Sequence, residues 1–408
     1  MDYALIHLAN GIRVVLHQNQ SPVSHACLIV NAGARDEPEG KYGLAHFIEH
    51  LLFKQTERRN TNQLLNRLEA VGGDLNAYTT KEYTCIHASF LFPHLARTLD
   101  LFEDLLFHSV FPEQEMEKEK GVILDEIASY QDSPEESVMD DFEDQVFQGH
   151  ALGHNILGTA SDLRTFSKTD ILRFVQQHYS THELIIGISG NYPLKRVERL
   201  AERIFGSIPE RESVNRRIAP PAILPQQLTL TKPINQVHQM IGGRAYATHN
   251  ENKTGLLLLN NLLGGMGMSS RLNLIIREKY GIAYTIESNY TPYSDAGFFY
   301  IYFGTDEEKV TKARKLVANE LRKLREKPLG VMQLHQAKHK FKGQIALGEE
   351  NRLNLIIALA KNVLDDNRVQ TLDEVFSRID MVTAPQLMHI ANEIFDDANL
   401  ASLSFVPE

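Results

Sequence analysis

Short segments recur along this 408-residue chain at a near-constant shift, and that recurrence restricts the available folds more than any other feature. Gly43 and the apolar stretch after it line up with Gly255 and its own stretch, 212 positions later. Val71-Gly72 followed by Ala77-Tyr78-Thr79 is echoed by Tyr280-Gly281 followed by Ala283-Tyr284-Thr285. Ser167, Ile171, Phe174 and Tyr179 match Thr383, Leu387, Ile390 and Phe395 at a shift of 216. Each match alone is weak, but their common order implies that one unit of strands and helices has been duplicated. Length agrees, since the chain exceeds one ordinary core and suits two domains of about 200 residues. Residues 209–226 hold Pro209, Pro220, Pro221 and Pro225 with little periodicity, so the linker belongs there. We therefore expect an α+β protein of two tandem homologous α/β domains, each a mostly antiparallel sheet packed with helices. The expected domains are 1–212 and 227–408, with a linker at 213–226.

Local signals fill in the elements. Asn10-Gly11 between two β-prone runs predicts a hairpin over residues 3–16. Residues 42–53 are strongly apolar with polar residues at helical spacing, which predicts a helix. Asn60 can cap a second helix that stops at Gly72-Gly73. Residues 75–90 read as one long strand or two, and helices are expected at 94–108, 112–147, 168–179 and 194–205, with a strand at 184–189.

Composition excludes several classes of function. Cys27 and Cys85 are the only cysteines, so neither a disulfide framework nor a cysteine-rich zinc site can form. Any metal must be held by His, Asp and Glu. The N-terminus lacks the basic start and apolar stretch of a secretory signal, and no apolar run is long enough to cross a bilayer. A cytoplasmic protein without a membrane partner is expected. The net charge is −10, and residues 113–144 carry thirteen acids against two lysines. Such a run reads either as a solvated helix face or as a negative field near a cation or basic peptide. No basic stripe with interleaved aromatics is present, so nucleic acid is not an expected partner.

His46-Phe47-Ile48-Glu49-His50 is the most informative segment. On a helix, positions four apart share a face, so His46 and His50 can reach one metal. Glu49 lies on the neighbouring face, placed to act on a metal-activated water rather than to bind the metal. Two imidazoles and a carboxylate base are the working parts of zinc hydrolases, and His-x-x-Glu-His is the inverted order of the commoner motif. With this composition, His-x-x-acid-His is expected by chance only about 0.09 times. His335 with His339, and His150 with His154, share the spacing but lack the Glu, and read as solvated or locally satisfied histidines. A catalytic zinc needs a third protein ligand. Glu119 and Glu126 are seven apart and share a helix face. Glu126 is favoured, because the apolar run Val122-Ile123-Leu124 before it predicts partial burial.

Residues 31–38 (Asn31 to Pro38) and 43–53 (Gly43 to Phe53) resemble the zinc-site region of the pitrilysin and insulinase peptidases, which include small bacterial relatives of the mitochondrial processing peptidase. The resemblance extends through residues 72–79, Glu119 to Glu126, 269–272 and 277–284. It implies one Zn2+ per chain held by His46, His50 and Glu126, with Glu49 as general base and Glu119 supporting a ligand. Asn76 and Ala77 would lie on an edge strand that pairs with the substrate backbone. Arg277 and Tyr284 would contact the substrate carbonyl and the developing oxyanion. In the second half, Leu258, Asn261 and Leu262 replace His46, Glu49 and His50. The implied activity is zinc-dependent endopeptidase cleavage of unfolded peptides, the alternative being a non-catalytic scaffold or assembly subunit. The family builds a chamber from four such domains, so a dimer is implied, either of this chain with itself or with a homologous chain. Gly264-Gly265-Met266-Gly267 resembles a glycine-rich loop of the family's non-catalytic subunits, but lacks the Lys-Ser/Thr ending of a phosphate loop.

Overall fold

A computed structural model describes residues 3–213 and 216–408, so two positions of the expected linker, 214 and 215, lie outside the described residues. The first half runs β1 (Tyr3–His7), β2 (Arg13–Gln18), β3 (Val23–Val30), α1 (Leu44–Leu52), α2 (Thr61–Glu69), β4 (Asp74–Thr79), β5 (Thr84–Leu91), α3 (Leu95–Phe107), α4 (Glu113–Gln131), α5 (Pro134–Val146), α6 (Ala160–Thr165), α7 (Lys168–His178), β6 (Leu184–Gly190) and α8 (Leu194–Phe205). The second half runs β7 (Gln227–Lys232), β8 (Val237–Ala245), α9 (Lys253–Gly264), a π-helical segment at Asn273–Lys279, β9 (Ala283–Pro292), β10 (Gly297–Thr305), α10 (Glu307–Glu326), α11 (Val331–Gly348), α12 (Arg352–Asp366), α13 (Leu372–Met381), α14 (Ala384–Ile394) and β11 (Ala401–Pro407).

The two sheets repeat one topology. The first is ordered β1-β2-β6-β3-β5-β4 and the second β7-β11-β8-β10-β9. Apart from the extra hairpin strand β1, they correspond strand for strand. In each, the entering strand runs parallel to the last strand, β2 with β6 and β7 with β11. The remaining three pairings are antiparallel in both. Each half is thus a mostly antiparallel sheet packed with helices, as the recurrence predicts.

Two expected elements resolve into pairs. Residues 75–90 become β4 and β5, joined by a turn in which Thr80 N–H donates to Tyr83 O at 2.8 Å. The 112–147 stretch becomes α4 and α5, parted at Asp132-Ser133. Pro134 opens α5, where its missing N–H costs no helical bond.

The compact units do not follow the linear division at 212 and 226. One unit comprises residues 1–127, 155–217 and 347–371, and the other 128–154, 218–346 and 372–408. The segments that change place contain α5 and α12, which are equivalent elements of the two halves. In the first unit, Leu355, Ile356, Leu359, Ala360 and Val363 of α12 pack with Val15, Cys27, Ile29, Cys85 and Ile185 of the sheet. In the second, Val138, Phe142 and Val146 of α5 pack with Met240, Phe298, Tyr300, Leu403 and Phe405. An apolar helix stripe shows that a face is buried, but not which of two like sheets buries it. No helix of the described residues is long and apolar enough to cross a membrane.

Candidate metal centre

The centre is built on α1, and α1 is fixed from its N-terminus. Gly43 precedes the helix with φ 95°, and a Cβ there would meet Leu157 O at 2.5 Å. Glu37 caps the helix start, its carboxylate accepting Gly43 N–H at 2.9 Å and Ala45 N–H at 2.7 Å. A carboxylate at that end also faces the positive pole of the helix dipole. The preceding loop is locked in turn. Arg217 donates to both oxygens of Asp36 at 2.9 and 2.7 Å, and Arg35 donates to Glu82 at 2.6 Å. Residues 31–38 therefore anchor the helix that carries the histidines.

His46 and His50 lie one turn apart, with ring centroids 4.6 Å apart and planes at 70°. Glu126 reaches them from α4. Its Oε2 is 3.9 Å from His46 Nε2 and 3.7 Å from His50 Nε2. Three donor atoms, one from each residue, lie within 4.8 Å of one another, the one such cluster of His, Cys, Asp and Glu among the described residues. Ligand atoms around a tetrahedral zinc sit roughly 3.4 Å apart, so a modest contraction would close this set on an ion. Neither the His335–His339 pair nor the His150–His154 pair forms such a cluster among the described residues; His150 Nε2 instead lies 2.8 Å from Ile218 O.

The chemistry of the donor set fits a metal. Burial, aided by the neighbouring His50, holds the His46 pKa down to about 3, so its imidazole is neutral and carries a lone pair. His50 Nδ1 is 3.1 Å from Glu119 Oε2, a contact that orients the ring with Nε2 on the Glu126 side. Glu119 is itself gripped by Lys54 Nζ at 2.6 Å. The two carboxylates reverse the expected burial: the side chain of Glu119 is 8% exposed and that of Glu126 41%. The apolar run before Glu126 wraps around the helix, with Ile123 inward and Val122 outward, so it does not bury the glutamate. Two imidazoles and an accessible carboxylate suit a catalytic zinc, which takes three protein ligands and an open position.

Glu49 stands beside this set. It is buried, and its Oε2 accepts a hydrogen bond from Thr79 Oγ1 at 2.7 Å. Burial raises its pKa above the ordinary carboxylate value, against the lowering influence of Thr79 and His50. Thr79 ends β4, the edge strand that carries Asn76 and Ala77. These two pair only with His87 and Ile86 of β5, so the outer side of the strand has no partner strand among the described residues. Sequence reasoning missed Thr79, Lys54 and Glu37. An acid shortly before a helix-leading glycine is a capping signal for Glu37, whereas nothing local marks Thr79 or Lys54.

Arg277 and Tyr284 meet in the other unit. Arg277 sits in the π-helical segment, its guanidinium 5.0 Å from the centre of the Tyr284 ring. Tyr284 is 84% exposed. π-Helical insertions are rare and concentrate at functional positions. The positions equivalent to the metal set hold no ion-binding chemistry: Leu258 is fully buried, and Asn261 Nδ2 donates to Gln344 Oε1 at 2.7 Å.

Comparison with known proteins finds matches along both halves of the chain. Residues 13–160 match the insulinase family (peptidase family M16), and residues 165–341 match the peptidase M16 inactive domain. The chain is 32% identical over 397 residues to the uncharacterized zinc protease YmxG of Bacillus subtilis, covering 97% of this chain and 96% of the other. It is 30% identical over 398 residues to an uncharacterized zinc protease of Rickettsia bellii, with coverage of 97% and 96%. Its fold matches the crystal structure of a protease from Helicobacter pylori with a TM-score of 0.93 at 22% identity, covering 100% and 99% of the chains. A peptidase M16 inactive domain from Pseudomonas fluorescens matches with a TM-score of 0.92 at 18% identity, covering 100% and 98%. With the inverted histidine motif, its partnering glutamate and the repeated fold all in place, the chain belongs to the insulinase (M16) peptidase family.

Proposed function

We propose that this chain is a zinc-dependent endopeptidase acting on unfolded peptides, with one zinc per chain. The observation that carries the reading is the convergence of His46, His50 and Glu126 beside the buried carboxylate of Glu49. Zinc bound there supplies Lewis-acid polarisation and brings the pKa of a water ligand to about 7. Glu49, with Oε2 held by Thr79, takes the proton of the attacking water at its other oxygen and returns it to the leaving amine. His50 keeps its orientation through Glu119, and Glu119 through Lys54. The open side of β4 at Asn76 and Ala77 offers backbone pairing to an extended peptide, which selects unstructured segments over particular side chains. Arg277 and Tyr284 bind the scissile carbonyl and stabilise its developing charge.

The proposal includes a cytoplasmic dimer, in which Arg277 and Tyr284 serve the zinc domain of the other chain. The direct test of function is cleavage of an unstructured peptide by purified protein. Chelation should abolish turnover and stoichiometric zinc should restore it. Tightly bound zinc without turnover on a varied peptide set would instead favour the scaffold. For the dimer, chains carrying Glu49→Gln are mixed with chains carrying Arg277→Ala and Tyr284→Phe. Partial recovery of cleavage in verified mixed dimers supports action in trans, and verified mixed dimers without recovery rule it out.

A further inference from the structure

A polar cavity of about 560 Å³ lies in the unit that holds the metal cluster, among α2, α3, α8 and the loop after α1. Its charged lining is Arg58, Arg67, Arg97 and Arg203 with Asp100 and Glu103. Four arginines converging on one hollow are conspicuous in a chain of net charge −10. No lysine lines it, which favours the planar, forked donor geometry that matches phosphate oxygens over a simple point charge.

The acids leave much of this donor capacity unspent. Glu103 is taken by Arg58 at 2.6 Å, and Asp100 by Arg67 at 2.9 Å and by Arg59 at 2.6 Å. Arg97 donates only to a backbone carbonyl, that of Arg67, at 2.9 Å. The Arg203 side chain makes no hydrogen bond or ion pair among the described residues. Arg67 Nε is buried without a hydrogen-bond partner, a state that costs free energy until an acceptor arrives. Three of the arginines, Arg67, Arg97 and Arg203, stand on packed helices. Leu64 and Leu68 of α2, Leu95, Leu99 and Phe102 of α3, and Val197, Ala201 and Phe205 of α8 are all buried in the core.

We infer that this cavity binds a small oligophosphate, recognised through its phosphate chain. The lining supports that choice over a nucleotide read by its base. Apart from the charged groups it offers only Ala96, Ile204 and Ser207, with no aromatic face on which a base could stack. The volume lies within the ordinary range of small-ligand sites. The site is separate from the metal cluster and does not depend on the proposed peptidase activity.

The test is calorimetric titration of the zinc-loaded protein with sodium tripolyphosphate, orthophosphate and ATP at matched ionic strength. Tripolyphosphate should bind saturably, with orthophosphate at least about tenfold weaker. ATP should fall within about threefold of tripolyphosphate. Arg97→Gln with Arg203→Gln removes the two arginines that have no carboxylate partner and should weaken tripolyphosphate by about 100-fold, roughly tenfold for each arginine removed, the worth of a charge-assisted hydrogen bond. Lys168→Gln with Arg173→Gln removes the same charge from α7 and should leave binding within about twofold. Removal of zinc by the phosphate is common to both variants, so their difference isolates the arginines. If the double variant misfolds, Arg203→Gln alone, at an exposed position, should still cost about tenfold. No saturable binding up to about 1 mM, equal losses in the cavity and α7 variants, or ATP binding more than tenfold tighter than tripolyphosphate would each overturn the inference.

Discussion

Where α1 faces α4, the first unit places two histidines and two glutamates; where α9 faces α11, the second places leucine, alanine and amides. Glu126 is the fourteenth residue of α4, and Gln344 is the fourteenth of α11. Glu119 and Ala337 are each the seventh. The second unit therefore lacks counterparts of the proposed ligands and of the carboxylate beside His50. Asn261 and Gln344 now satisfy each other by a neutral hydrogen bond, so that crossing stands without an ion. Strand order is common to both units. Sheet topology is set by register and burial, whereas the metal set depends on a few ionisable side chains that a repeat can lose without losing its fold.

The sharpest way to break this comparison is to treat the equivalent positions alike. Glu126→Ala should lose most bound zinc and lower peptide cleavage by three orders of magnitude or more, in keeping with the loss of one of three protein ligands. Gln344→Ala should leave zinc content and cleavage unchanged within about twofold. Elemental analysis with a turnover assay reads both, and zinc loss from the second variant would refute the assignment of a single centre.

A somewhat smaller effect separates the roles of the two units. Arg277→Ala with Tyr284→Phe should keep the full zinc content and lower kcat by roughly 10²- to 10³-fold, the range for removal of oxyanion donors. Parallel loss of metal and activity would place the pair in structural support instead. Next comes Glu119→Ala, which should weaken zinc affinity by about 10- to 100-fold through the freed His50 ring. Competition against a chelator measures it. A larger loss than in Glu126→Ala would exchange the roles of the two glutamates.

The smallest effect concerns stability in the metal-free protein. The folded state holds the His46 pKa at about 3, below its ordinary 6.5. The unfolded chain takes up that proton first, so this group lowers stability progressively as pH falls from about 6.5 towards 3. Glu49 acts in the opposite sense. With a raised folded pKa, its contribution is complete below the ordinary carboxylate value and is lost as pH rises through the raised one. His46→Gln should therefore flatten the acid side of the melting curve by a few degrees between about pH 6.5 and 4. Scanning calorimetry of both metal-free proteins checks this, and parallel curves would show that His46 is not held neutral by the fold.

Legibility from sequence follows the range of the interactions. His46, Glu49 and His50 are visible because helical spacing alone puts them on adjacent faces. Glu119 and Glu126 share a face for the same reason, but their relative burial is set by what covers α4, and the apolar run before Glu126 points the wrong way. Thr79 reaches Glu49 across 30 positions, and Arg217 reaches Asp36 across 181, so no local pattern announces either bond. The exchange of α5 and α12 is hidden most deeply. Both helices have ordinary apolar stripes, and their destinations depend on which sheet offers the matching surface. Phe142 finds Phe298 with ring centroids 5.8 Å apart. Ile356 sits against the sheet around Cys27 and Gly187, where a Cβ on the glycine would come within 2.9 Å of it.

In the proposed chemistry Glu49 performs the proton transfer while His46, His50 and Glu126 hold the metal. Its most direct test is the Glu49→Gln protein, assayed in one preparation for zinc per chain and for cleavage of an unstructured peptide. The variant should hold one zinc per chain, as in the unaltered protein, with cleavage lower by about 10²- to 10⁴-fold. Zinc loss as deep as that of Glu126→Ala, or turnover at the unaltered rate, would contradict that chemistry.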